Sequence, residues 1–239
     1  MKNQMTRSVR IVGWFLALLL LNLTACKKEE DKVQPNQSLA EKPGQIPGCG
    51  EMPGPPEGRP FVLPKNVSIK GPIIGVDDGP GQEDCVYDGA GFWVTVKMEL
   101  QNDSTGPVTV EFPAGLVLTT TTKGFQHGLL LERVLVTLPP KVEGGRNCQV
   151  TLMASCLNAH LEPANLEANF TLGPITSSPL LKDFIQKLST KKTLFISDYQ
   201  KSDDFFPNQE AIQDALWALT DGDGLSERDL ERIRNLPNK

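Results

Sequence analysis

Between Phe92 and Leu100 apolar and polar residues alternate: Val94, Val96, Met98 and Leu100 fall on one face, and Trp93, Thr95, Lys97 and Glu99 on the other. A two-residue period is that of a strand with one buried side. Asn102-Asp103-Ser104-Thr105-Gly106 supplies turn residues, and Val108, Val110 and Phe112 resume the alternation, so the pattern predicts a hairpin. Further strands are predicted over 67–74, 116–122, 129–138, 148–156 and 169–172, with a loop over 139–145. After residue 175 the period becomes helical. Ser178 stands before Pro179, and Leu181, Phe184, Ile185 and Leu188 share one face, the pattern of a capped helix. A second helix over 208–220 would bury Ala211, Ile212, Ala215, Leu216 and Leu219 and end at Gly222. Ser226 and Asp229 form a capping-box start for a third, with Leu225 and Leu230 placed as a staple. Short strands at this spacing predict an antiparallel β-sandwich of the immunoglobulin-like kind. Two or three C-terminal helices after them make the domain α+β.

The N-terminus follows another pattern. Lys2, Arg7 and Arg10 lead into an apolar stretch over 11–21, too short to be a stable membrane span, which closes on Leu23-Thr24-Ala25-Cys26. These residues resemble the lipobox of bacterial lipoproteins. The resemblance implies that 1–25 is a removed signal peptide and that Cys26 is the acylated first residue of the mature protein. It further implies anchorage in the bacterial outer membrane. Buried methylenes contribute about 0.8 kcal/mol each, so several acyl chains hold a protein on a membrane without a spanning helix. Lys27-Lys28-Glu29-Glu30-Asp31 reads as a solvated tether. The same run, Cys-x-Lys followed by two acids, resembles the surface-export signal of Bacteroidota lipoproteins, which implies exposure at the cell surface.

From Lys27 to Pro60 the chain holds seven prolines and five glycines, with almost no aliphatic cluster. Such a segment buries too little apolar surface to offset its ordering entropy, so 26–60 reads as the lipid anchor and a disordered linker. Residues 61–239 then form one globular domain, β-rich over 61–175 and helical over 176–239. Loss of Lys2, Arg7 and Arg10 with the leader leaves 21 of the 24 Lys and Arg against 29 acids, a formal net of −8. That excess disfavours nucleic acid as a partner, because phosphate binding needs clustered basic side chains.

Cys49, Cys85, Cys148 and Cys156 are disulfide candidates, an even number in a compartment where disulfides persist. Four cysteines allow three pairings. A continuous strand over 148–156 rises about 3.3 Å per residue, which puts Cys148 and Cys156 out of reach of each other. Cys49 or Cys85 is therefore the expected partner for one of them, and a Cys49–Cys85 bridge would clip the linker to the domain.

Three constellations have chemical potential. Ile212-Gln213-Asp214-Ala215-Leu216-Trp217 resembles the Thr-Gln-x-Ala motif with following Ile-Trp of thioester domains in bacterial surface adhesins. The resemblance implies that Gln213 condenses with a cysteine, here Cys156, to a thioester that captures a nucleophile on a surface. Ile212 replaces the motif threonine, and no aromatic follows Cys156. The plainer reading makes Ala215 and Leu216 core, with Gln213 and Trp217 covering a neighbouring surface one turn apart. Secondly, Cys156 and His160, with His127 upstream, have the ligand types of a blue-copper centre, but no Met follows His160. The same Cys and His could also act as nucleophile and base. Thirdly, Thr220-Asp221-Gly222-Asp223-Gly224-Leu225-Ser226-Glu227 has a calcium-loop look. Aligning Gly224 with the invariant glycine puts Leu219 and Leu230 at ligand positions, so the loop reads as a helix cap, turn and cap.

No metal and no cofactor is expected. The expectation from sequence is a lipid-anchored envelope protein acting as a non-enzymatic binding or adhesion module. Its membrane contact is the N-terminal lipid, and its ligand is a protein or glycan. The alternative is a thioester-type covalent adhesin using Cys156 and Gln213.

Overall fold

The alternating stretch around Met98 is a central strand in the structure, a computed structural model that describes residues 40–77, 84–141, 147–193 and 203–239. The predicted leader, Cys26, the first part of the tether and residues 142–145 of the predicted loop lie outside the described residues. The strands are β1 Gly58–Pro60, β2 Val67–Gly75, β3 Asp84–Asp88, β4 Val94–Asn102, β5 Val108–Phe112, β6 Leu116–Thr120, β7 Gly128–Leu129, β8 Val134–Leu138, β9 Cys148–Cys156 and β10 Asn169–Thr176. The helices are α1 Pro179–Leu188, α2 Phe205–Thr220 and α3 Glu227–Asn235.

The α+β immunoglobulin-like sandwich expected from the pattern is replaced by a mostly β fold. Among the described residues it is a closed six-stranded antiparallel barrel with three short helices. The ring runs β10-β2-β4-β9-β7-β6 and returns to β10. Closure comes from β10, whose Phe170 pairs with Ile73 of β2 on one edge and Thr120 of β6 on the other. β1 lies along β10 where β2 has diverged, and β3 pairs in parallel with β9 beside the short β7. Alternation dictates one buried face per strand, and sandwich and barrel both satisfy it. Which edges pair decides between them.

The predicted hairpin is also revised. Both edges of β4 are occupied, by β2 from Val67↔Asn102 and by β9 from Val94↔Ala154 to Leu100↔Cys148. After the predicted turn β5 therefore leaves the barrel and pairs with β8 as a separate ribbon. The Asn102 amide holds that turn, donating to the carbonyls of Gly106 and Pro139 while its Oδ1 accepts from the Ser104 N–H. The single strand predicted over 129–138 is divided into β7 and β8.

Two cores result. Val94, Val96, Met98 and Leu100 of β4 meet Val150, Leu152, Ala154 and Cys156 of β9 inside the barrel, joined by Val110, Phe112, Val136 and Leu138 of the ribbon. Outside it, Val117 and Leu129 carry the helices through Leu181, Phe184, Ile212, Leu216 and Ile233. This accounts for the unbroken apolar run Leu116-Val117-Leu118: β6 is buried on both faces. Gly128 of β7 is the tight point of the wall, where a Cβ would come within 2.8 Å of Val94 and 2.9 Å of Ala154.

The segment 40–60, expected to be linker, belongs to the folded unit Ala40–Lys239. Ile46 and Cys49 are buried in the outer core. The N–H of Gly44 donates to the Leu219 carbonyl at 2.9 Å and that of Gly50 to the Leu157 carbonyl at 2.8 Å. A Pro/Gly-rich strand of chain needs little apolar area of its own when a finished surface supplies the acceptors. Gly50 sits at φ +57° with its Cα against the Thr220 carbonyl, where no side chain fits. The helices match the pattern: Ser178 accepts from the Leu181 N–H, and Ser226 and Asp229 complete the reciprocal capping box.

Candidate functional site

Cys156 is the last residue of β9 and its side chain lies in the barrel core, fully buried. One edge of β9 here faces β7, where the Leu157 N–H donates to the His127 carbonyl at 2.9 Å. On the other edge β4 reaches only Ala154, opposite Val94. The N–H and C=O of Cys156 are thus left past the end of β4, buried and in need of partners.

Gln213 provides both. It is on the inward face of α2, 2 % exposed. Its Oε1 accepts from the Cys156 N–H at 2.9 Å, and its Nε2 donates to the Cys156 carbonyl at 2.8 Å. The primary amide thereby continues the sheet as a neighbouring strand would. One turn along, Trp217 donates its indole N–H to Cys156 Sγ at 3.4 Å. The thiol also lies 3.4 Å from both the N–H and the carbonyl of Asn158. Burial pushes the Cys156 thiol up to about 12, outweighing the Asn158 and Trp217 hydrogen bonds that pull the other way. The sulfur is consequently protonated at neutral pH.

The two residues named from the motif, 57 positions apart, are therefore in contact. The disulfide Cys85–Cys148 joins β3 to β9, and Cys49 and Cys156 are both free and buried. That bridge is among the pairings the spacing left open, and it leaves Cys156 as a thiol. The Cys49–Cys85 clip does not form. Cys49 instead packs in the outer core, where burial, followed by the nearby Glu41 and Asp221 charges, also pushes its thiol up to about 12.

The histidines do not converge on the sulfur as ligands. His127 Nδ1 accepts from the Thr120 N–H at 3.0 Å, and burial holds its imidazole below the usual range. His160 Nδ1 lies 3.6 Å from Asp221 Oδ1. Among the described residues no group of three or more His, Cys, Asp or Glu side chains is arranged to hold a metal. Residues 220–227 run from the end of α2 through a turn to the Ser226 cap, with Gly224 at φ +110° and its N–H on the Ala218 carbonyl.

Two supports of the site had no signal in the pattern. Asn158 donates to the Gly50 carbonyl at 2.9 Å and accepts from the His127 N–H at 3.0 Å, which pins the turn after Cys156. Asp221 accepts from the Ala159 N–H at 3.1 Å, tying that turn to the end of α2. Asn158 is a turn residue by composition alone, and only the approach of residue 50 makes it a hub. Comparison with protein-family models, curated proteins and solved structures gives no match.

Proposed function

We propose that this chain is an adhesion module held on the bacterial cell envelope by lipid on Cys26, and that it grips its partner covalently through a thioester between Cys156 and Gln213. The observation that carries the covalent reading is the Gln213 amide lying on the Cys156 backbone beside a buried thiol that is free of any disulfide. In the closing step Sγ bonds to Cδ of Gln213, the C–N bond breaks, and the amide nitrogen leaves as ammonia with the thiol proton. The Cys156 N–H already donates to Oε1, where negative charge develops as sulfur adds, so the donor is preorganised. Water is largely excluded, which protects an acyl–sulfur bond from hydrolysis. In capture, a partner amine bonds to Cδ, the C–S bond breaks, and sulfur regains a proton.

Intact mass of the chain lacking residues 1–26 tests this. A mass one ammonia below the disulfide-bonded sequence, with methylamine uptake mapped to Gln213 and lost in Cys156→Ala, is expected. A mass equal to the sequence less only the disulfide hydrogens overturns the thioester.

The second reading, a non-covalent and non-enzymatic binding module, is favoured by one feature. The two hydrogen bonds of Gln213 satisfy a strand end that β4 leaves open, a structural role sufficient in itself. The lipid anchor common to both readings is tested by labelled palmitate, which should appear on the protein and vanish with Cys26→Ala.

A further inference from the structure

The surface above Cys156 is aromatic. Trp217, whose indole touches the thiol, lies 6.3 Å from Trp93 between ring centroids. Trp93 is 5.7 Å from Phe92, and Phe92 is 5.3 Å from Phe206. Phe92 and Trp93 are 38 % exposed and Phe206 39 % exposed. Four rings thus run as one patch from open solvent to the sulfur. Exposed apolar side chains gathered in this way, with polar residues around them, mark a contact surface.

Charge narrows the partner. Phe206, Glu210, Gln213 and Trp217 are spaced by four, three and four residues and so share one stripe of α2. Between the two aromatics of that stripe, Glu210 is exposed, and Asp214 beside Gln213 is exposed as well. Asp203 and Asp204 are exposed at the start of α2. Residues 203–223 contain six acidic side chains and no Lys or Arg. Arg232 reaches Asp214 at 2.7 Å, and Asp221 is engaged by the Ala159 N–H and lies 3.6 Å from His160 Nδ1, so the charge that faces the aromatic stripe is chiefly that of Glu210. Carboxylates alternating with aromatic faces suit a guanidinium or ammonium group, which each attracts.

We infer that the patch formed by Phe92, Trp93, Phe206, Trp217 and Glu210 docks a basic polypeptide segment, holding it beside the buried Cys156–Gln213 pair. The inference deepens the adhesion reading and rests on it. Docking precedes capture and needs no covalent step. Of the three tryptophans, Trp93 and Trp217 lie on this surface and Trp14 in the predicted leader, so indole fluorescence reports on the patch.

The test uses the chain lacking residues 1–26, and with them Trp14, carrying Cys156→Ala, titrated with an N-acetylated arginine-rich peptide, which has no nucleophilic amine, and with an acidic peptide of equal length. Saturable fluorescence change with the basic peptide only is expected, weakened about tenfold in Glu210→Gln and in Phe206→Ala, both substitutions at exposed positions. Equal response to both peptides, unchanged affinity in the two variants, or a response to chitooligosaccharide in place of the basic peptide overturns the inference. Because the background cannot form a thioester, failure here leaves the covalent reading standing, and failure of methylamine uptake leaves docking standing.

Discussion

Cys49 and Cys156 show how one side-chain type is set to one state by its surroundings. Both thiols are buried and pushed up to about 12 from 9.0, by desolvation first. For Cys49 this makes a prediction about pH. Below 9 the thiol is protonated in the folded and unfolded chain alike, and it adds no pH dependence. Above 9 the unfolded chain ionises first, so stability falls as pH rises towards 12. The loss reaches about 2 kcal/mol near pH 10.5 at 1.36 kcal/mol per unit. Urea unfolding at pH 8 and 10.5 measures it in a Cys156→Ala background, where the second raised thiol is absent, and adding Cys49→Ala there should flatten the difference. An unchanged slope in that variant refutes the assignment. At the same scale the six-residue resemblance named Gln213 and Cys156, whose hydrogen-bonded contact only the fold supplies, whereas nothing named Asn158 as a support, because its partners Gly50 and His127 are 108 and 31 residues away.

At the scale of elements, α1 is held from both sequence-near and sequence-far directions. Ser178 accepts from the Leu181 N–H at 3.1 Å, and Glu41 accepts from the Ser178 hydroxyl at 2.6 Å and the Leu180 N–H at 3.1 Å. Two of the helix's free donors are thereby satisfied, and a carboxylate faces its positive end. Ser178→Ala should lower stability by about 1 kcal/mol in urea unfolding, the usual loss for a cap. A change below about 0.3 kcal/mol would show that Glu41 caps the helix unaided. The cap and the apolar face of α1 are local, and the pattern predicted both. The seat of Glu41 is not local, since nothing in the Pro/Gly-rich run around it signals a helix end elsewhere. β5 teaches the same lesson. Its alternation predicted a strand, but its partner was set by β2 and β9 having filled both edges of β4.

For the whole molecule, the disulfide closes a long segment. Cys85 and Cys148 are 63 residues apart, and the loop they enclose contains β4 to β8. Chain entropy alone gives about 4 kcal/mol for a loop of this length. Reduction should shift the denaturant midpoint accordingly, and Cys85→Ala with Cys148→Ala should reproduce the shift without reductant. No shift on reduction would refute the chain-entropy account, since the bridge would then place no restriction on the unfolded chain.

The sequence by itself determined what depends on neighbours along the chain: the buried face of each strand, the helix caps and the turn at Asn102. Tertiary structure alone decided closure into a barrel, the docking of 40–60, the choice of Cys85 for Cys148 and the meeting of Gln213 with Cys156. The physical reason is that strand edges, backbone acceptors and thiols carry no partner information in their own residue types. Their pairing follows from which surfaces remain open once the cores have formed.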